Sequence, residues 1–192
     1  YVLARWEDAK NSGKAEEAVG AEQKNREESE KRMEENRNTS VSEAVIQEVM
    51  KRMGIQGRIT LESAKRLIEK IEKEAVRQGK KAVIAVCGPD GNPIAVHVMD
   101  GAFLVSFDVA MKKAYTSVAV KMSTKELSVL AQPGQTFYGV DKMDGGKIVI
   151  FGGGVPLKVG DTIIGGLGVS GGTGEEDHAL AEYGLSVLNE VL

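Results

Sequence analysis

The 192-residue chain is poor in several residue types at once: one cysteine, two histidines, one tryptophan, four prolines, and aromatics at only 5%. With Cys87 as its only thiol the chain forms no internal disulfide, which fits a reducing, cytoplasmic setting. One cysteine with His97 and His178 is too small a set for a Cys/His structural zinc site. No apolar run approaches the ~20 residues that span a bilayer, and no signal peptide opens the sequence. A net charge of −3 points away from nucleic acid and anionic membrane surfaces as partners. No Ser/His/Asp or Cys/His arrangement suggests a nucleophile, and the acids form no obvious acid–base pair, so no catalytic residue is assigned.

Glycine is rich in one part of the chain and scarce in another. Of 23 glycines, only Gly13 and Gly20 precede residue 54. Residues 7–39 are densely charged with almost no large apolar side chain apart from Met33, so they bury too little surface to offset the entropy of ordering. This stretch reads as a linker or an exposed, fraying helix. Residues 40–53 differ: Val41, Ala44, Val45, Val49 and Met53 fall on one helical face, Ser40 or Ser42 can cap it, and Gly54 can end it. About fourteen residues make a helix that is marginal alone in water. Tyr1 stands first without a Met, as expected of a fragment.

Residues 58–192 read as one domain. Thr60 caps a helix with the apolar stripe Leu61, Ala64, Leu67, Ile68, Ile71, Ala75, stopped by Gly79. Ala82–Cys87 and Pro93–Met99 flank the turn residues Gly88-Pro-Asp-Gly-Asn92 and predict a hairpin. Helices are expected over 104–122 and 124–130, strands over 147–151, 155–158 and 162–170, and a last helix opened by the capping box Thr173-Gly-Glu-Glu176. The expected fold class is α+β: a single antiparallel sheet of about five strands with helices packed on one face, in the order α-ββ-αα-βββ-α. The other face would then be open to a subunit or ligand.

Gly166-Leu-Gly168-Val-Ser-Gly171 has the spacing of a dinucleotide fingerprint, but about twenty residues follow it, too few for the rest of that unit. Close backbone packing explains these glycines better. Strand alternation places Ile94, Val96 and Val98 on one face as core, and His97 with Met99 on the other, where an imidazole nitrogen and a thioether are suited to a haem iron. The ordinary alternative is a half-buried surface histidine. With a loop over 88–92, position 83 sits opposite His97; Cys87 shares its face but lies roughly 13 Å away along the sheet, so the two do not share an iron. His178, in the first turns of the last helix, is a second nitrogen donor or a solvated helix residue. Lys112, Lys113 and Lys121 are candidate partners for propionates or simply a solvated face.

Several segments, in order and at matching spacing, resemble the haem-degrading-domain family (GlcG/HbpS-like): Ile59-Thr-Leu61, Val83–Val86 with Pro89-Asp-Gly-Asn92, Met99-Asp-Gly-Ala102, Ser106-Phe-Asp-Val-Ala110, Lys113-Ala-Tyr-Thr116, Pro133-Gly134, Phe151-Gly-Gly-Gly-Val-Pro156 and the run Gly165–Gly172. The resemblance implies haem or tetrapyrrole binding and a homo-oligomer. It leaves the ligand open: the first helix has no His, and Tyr115 and Thr116 are oxygen donors within a matching motif. Residues 1–6 resemble the end of the last helix of PduO-type cob(I)alamin adenosyltransferases, whose ATP and corrinoid residues would lie upstream. Residues 40–53 resemble the encapsulation peptides of bacterial microcompartment cargo, which implies a shell-protein partner reached through Ser40–Met53 and a microcompartment lumen. The same helix packing on its own domain fits equally. The resulting expectation is a haem-binding accessory domain at the C-terminal part of a corrinoid adenosyltransferase from a diol-utilisation microcompartment. The alternative is a non-catalytic oligomerisation and targeting module.

Overall fold

The computed structural model describes residues 57–192, together with Val45 and Glu48, which are helical and exposed. The rest of the amphipathic segment and the charged stretch before it lie outside the described residues.

Helix α1 spans Leu61–Arg77. Thr60 caps it by accepting the Ser63 N–H at 3.1 Å, and Gly79 turns the chain away at φ +67°. Ala64, Leu67, Ile68, Ile71 and Ala75 are buried, but Leu61 is exposed, because the stripe begins one turn later than its sequence suggests. Strands β1 (Val83–Cys87) and β2 (Pro93–Val98) form the expected hairpin. Helices α2 (Ser106–Ala119) and α3 (Thr124–Leu130) follow, the latter opened by a Ser123/Glu126 capping box. Strands β3 (Gly154–Val159) and β4 (Thr162–Ser170) precede α4 (Gly174–Ser186), which Thr173 and Glu176 cap reciprocally.

The class is α+β with one antiparallel sheet, and the strand order is β2-β1-β4-β3. The sheet has four strands, because 148–150 do not pair. Val149 instead donates its N–H to the Thr116 hydroxyl at 3.0 Å, which holds this segment against α2.

Both faces of the sheet are covered, which corrects the expectation of helices on one side. On one face, Val83, Ala85 and Cys87 pack with Ala110 and Ala114 of α2. Gly154, Gly166 and Gly168 lie beneath the same helix: a Cβ on any of them would run into the carbonyl of Lys113, Ala114 or Ala110 respectively. The glycine-rich β4 motif therefore brings a helix backbone onto the sheet, as close packing requires. On the opposite face lie α1 and α4, where a Cβ on Gly184 would meet Leu167 at 2.6 Å and Ile71 at 2.8 Å. On β4 the alternation is sharpest: Gly166 and Gly168 lie toward α2, while Leu167 and Val169 between and beyond them lie toward α1 and α4.

The hairpin register differs from the expected one by a single residue. Cys87 lies opposite Pro93, but the pairing then slips, so Val86 faces Ala95 and Ile84, not position 83, faces His97. The extra residue is a β-bulge, and one residue of slip inverts every side chain beyond it. His97 consequently shares its face with Ile84 and α1, while Cys87 lies on the α2 face. The two still cannot share an iron, now because the sheet separates them.

Candidate functional site

Strand β2 is an edge strand, so its side chains are covered from one lateral side only. Val98, expected in the core, is 56% exposed for this reason. His97 is half-buried against α1, and its Nδ1 lies 2.9 Å from Glu72 Oε1. An ionised carboxylate only accepts, so this contact selects the tautomer with the proton on Nδ1. Nε2 then carries a free lone pair and has no hydrogen-bond partner among the described residues. Glu72 follows Ile71 on the margin of the apolar stripe, a position that in sequence reads as an ordinary helix-surface acid.

Glu72 also lines a groove of about 600 Å³ between the end of α1 and the end of β2. Val76 and Val98 give it exposed apolar surface, and Lys80 and Lys81 stand at its rim. Lys80 pairs with Glu176, which leaves Lys81 as the exposed cation. Met99 lines the groove as well, but its thioether accepts the Ala82 N–H at 3.4 Å and packs as a weak acceptor.

Tyr115 occupies a second groove of about 320 Å³, with Met111, Lys112 and Lys147. Its phenol donates to Asp144 at 2.6 Å, and this hydrogen bond raises its pKa, so the ring stays a neutral phenol. Lys112 pairs with Asp108 at 2.8 Å and Lys147 with Asp144 at 3.6 Å. Both lysines and the phenol here thus already have a carboxylate partner. Thr116 is completely buried, its hydroxyl donating to the Lys112 carbonyl and accepting from Val149, so it fastens the chain and reaches no groove.

His178 lines a third groove, of about 410 Å³, at the β3 edge of the sheet. Burial lowers its pKa and keeps the ring neutral. Nε2 is 3.5 Å from Glu182, and Nδ1 is buried without a partner. The five sequence candidates therefore do not converge: Met99 lines one groove, Tyr115 another and His178 a third, while His97 meets the first only through Glu72 and Thr116 reaches none. No group of three or more His, Cys, Asp or Glu is arranged to hold a metal ion among the described residues.

Lys113 turned out to be neither solvated nor a surface cation. It is fully buried, donates to Asp177 at 2.6 Å and to the Val169 carbonyl at 2.9 Å, and lies 4.8 Å over the Phe151 ring. Asp177 in turn accepts the Gly171 and Gly172 N–H groups at 2.9 and 2.8 Å. Burial lowers the Lys113 pKa, opposed by Asp177. Gly153, at φ +120°, makes room: a Cβ there would meet the Lys113 ammonium at 2.7 Å.

The profile of the family described as "Haem degrading protein HbpS-like" matches residues 59–186. An uncharacterised 15.0 kDa protein of the dhaT–dhaS intergenic region of Citrobacter freundii is 38% identical over 133 residues, covering 69% of this chain and 94% of that one. Corrinoid adenosyltransferase PduO of the same organism is 41% identical over 107 residues; the match covers 56% of this chain but only 32% of PduO. Among solved structures, a PduOC:heme complex superposes with a TM-score of 0.66 at 35% identity, covering 69% of this chain and 96% of that one.

Proposed function

Because the chain belongs to the HbpS-like haem-degrading family, we propose that its domain is a haem-binding accessory module with His97 as the iron ligand. One observation carries the reading: Glu72, which itself lines a groove with exposed apolar surface, orients the His97 ring through Nδ1 and leaves Nε2 without a partner among the described residues. A carboxylate behind a ligating histidine fixes the ring and raises its basicity. Val76 and Val98 offer apolar contact to a macrocycle, and Lys81 is placed to meet a propionate. Tyr115 is the weaker donor, since the Asp144 hydrogen bond holds its phenol protonated. When bound, haem supplies a redox-active iron and a visible chromophore; the domain's residues bind and orient it. The bound haem of the PduOC complex, from a relative of the same fold, supports the reading.

The expected result of a haem titration is a saturable Soret shift, and His97→Ala should change the spectrum of the complex. Absence of a Soret shift under both reducing and oxidising conditions would refute haem binding. An unchanged spectrum in His97→Ala would reassign the ligand to Tyr115 or His178.

A second observation favours a homo-oligomer. Phe103, Leu104 and Val105, just before α2, and Phe107 in its first turn are exposed apolar residues, with Leu104 96% exposed. We propose that another copy of the chain covers them. Leu104→Asp should lower the mass measured by light scattering; an unchanged mass would reject this surface. The similarity to PduO and the sequence of residues 1–6 support placing the domain at the C-terminal part of a corrinoid adenosyltransferase of a diol-utilisation microcompartment. In that setting residues 40–53 would serve as the contact to a shell protein.

A further inference from the structure

The His178 groove remains without a role, and its charges are unbalanced. Lys121 follows α2, Lys125 lies on α3 and Lys158 on β3, so three separate segments deliver an ammonium to one concavity. None of the three forms an ion pair among the described residues. The groove sets two acids against these three lysines, and Lys158 lies near enough to Glu126 to favour its ionised form. Glu126 closes the α3 cap by accepting the Ser123 N–H and hydroxyl, both at 2.8 Å, and Glu182 lies toward His178.

Two further features are unusual for a merely solvated face. Lys121 has φ +58°, a left-handed conformation that glycine or asparagine normally takes just beyond a helix C-terminus. A lysine there is strained, and its side chain rises beside this groove. His178 leaves Nδ1 sealed without a partner. A buried bare lone pair is less unfavourable than a buried orphan N–H, so the proton resides on Nε2. That N–H has only the long 3.5 Å contact to Glu182.

We propose that this groove binds a small, multiply charged oxyanion, a phosphate or polycarboxylate, through Lys121, Lys125, Lys158 and the His178 Nε2–H. Charge-assisted hydrogen bonds from lysine and a neutral imidazole donor recognise such a group without discriminating its source. The site is independent of the His97 groove, which lies at the other end of the sheet's edge-to-edge order: β3 is one edge strand and β2 the other.

The test is an NMR titration of the full chain at low ionic strength, following the ring signals of its two histidines. Inorganic phosphate, pyrophosphate and citrate are the probes. Saturable shifts of His178, with His97 unmoved, are expected from at least one probe. A response to the phosphates alone identifies a phosphate site, and one to citrate alone a carboxylate site. Lys125→Gln and Lys158→Gln should each weaken binding several-fold, and Lys121→Gly should do so while leaving the fold intact, because it also relieves the backbone. Lys73→Gln, on α1, is the control and should bind as the parent does. Non-saturating shifts with all three probes, movement of His97 instead, or undiminished binding in the Lys125/Lys158 double variant would each overturn the proposal.

Discussion

Replacing Asp177 by Asn changes one atom's worth of shape and removes one charge from the interior. The Lys113 ammonium would then sit fully buried with only the Val169 carbonyl and the Phe151 ring as partners. The Asn side-chain oxygen still accepts the Gly171 and Gly172 N–H groups, so the loss isolates the charge. Breaking a buried pair by removing one partner typically costs 3–5 kcal/mol, since the survivor stays desolvated and uncompensated. At an unfolding entropy of about 2.1 cal/mol/K per residue, a domain of roughly 130 residues loses about 15 °C of Tm for about 4 kcal/mol. The comparison that identifies the cause is the double variant Lys113→Met, Asp177→Asn. Methionine has nearly the same length and no charge, so the double variant should regain at least about half of the loss. Thermal and urea unfolding of the parent, both single variants and the double variant measure the coupling directly. An Asp177→Asn protein within about 1 kcal/mol of the parent would refute the reasoning. So would a double variant whose loss equals the sum of the two singles.

Other expectations follow from the same interior. Burial pushes the Cys87 thiol up to about 11 from an ordinary 9.0, so the folded state favours the neutral thiol. That contribution is complete below pH 9 and is lost as pH rises through 11; about 2–3 kcal/mol of stability should disappear across that window, and Cys87→Ala should flatten the curve there. Gly168→Ala forces a methyl group against the α2 backbone at Ala110 and Ala114 and should destabilise by about 2 kcal/mol or more, visible as a lower urea midpoint; a change under about 0.5 kcal/mol would contradict the close approach. The 192-residue chain, spanning 32% of PduO, should show no ATP-dependent adenosylation of a corrinoid, and measurable turnover would overturn that expectation. Val45→Asp with Val49→Asp should leave the thermal unfolding of the domain unchanged while abolishing co-purification with microcompartment shells; loss of the domain's cooperative unfolding would instead make the segment structural.

Local chemistry made most elements legible. The Thr60, Ser123 and Thr173 caps, the α1 stripe and the turn at 88–92 all depend on neighbours within a few residues. What escaped depends on partners far along the chain. The 147–151 segment has the apolar residues of a strand, but its backbone is claimed by Thr116, 33 positions before Val149. Lys113 has the appearance of a helix-surface cation until Asp177, 64 positions later, and the space above Gly153 are known. The number of covered faces was likewise illegible: glycines on β4 signal a close approach, but not which helix makes it. For the candidate site, His97 was identifiable as a donor on the second strand of the hairpin, whereas Glu72 required knowing on which side of the sheet His97 emerges.

That last point turns on the slip between Val86 and Cys87. The bulge behaves as a parity device: whether Ile94 is looped out of the ladder decides which layer receives the imidazole. Straightening the strand with every residue retained would set His97 opposite Val83, in the seam under α2 and away from Glu72. Deleting Ile94 would remove the bulge and leave His97 opposite Ile84, in its present layer. A lineage could thus gain or lose this nitrogen donor without mutating the histidine at all, by whatever change at the hairpin end irons out the extra residue.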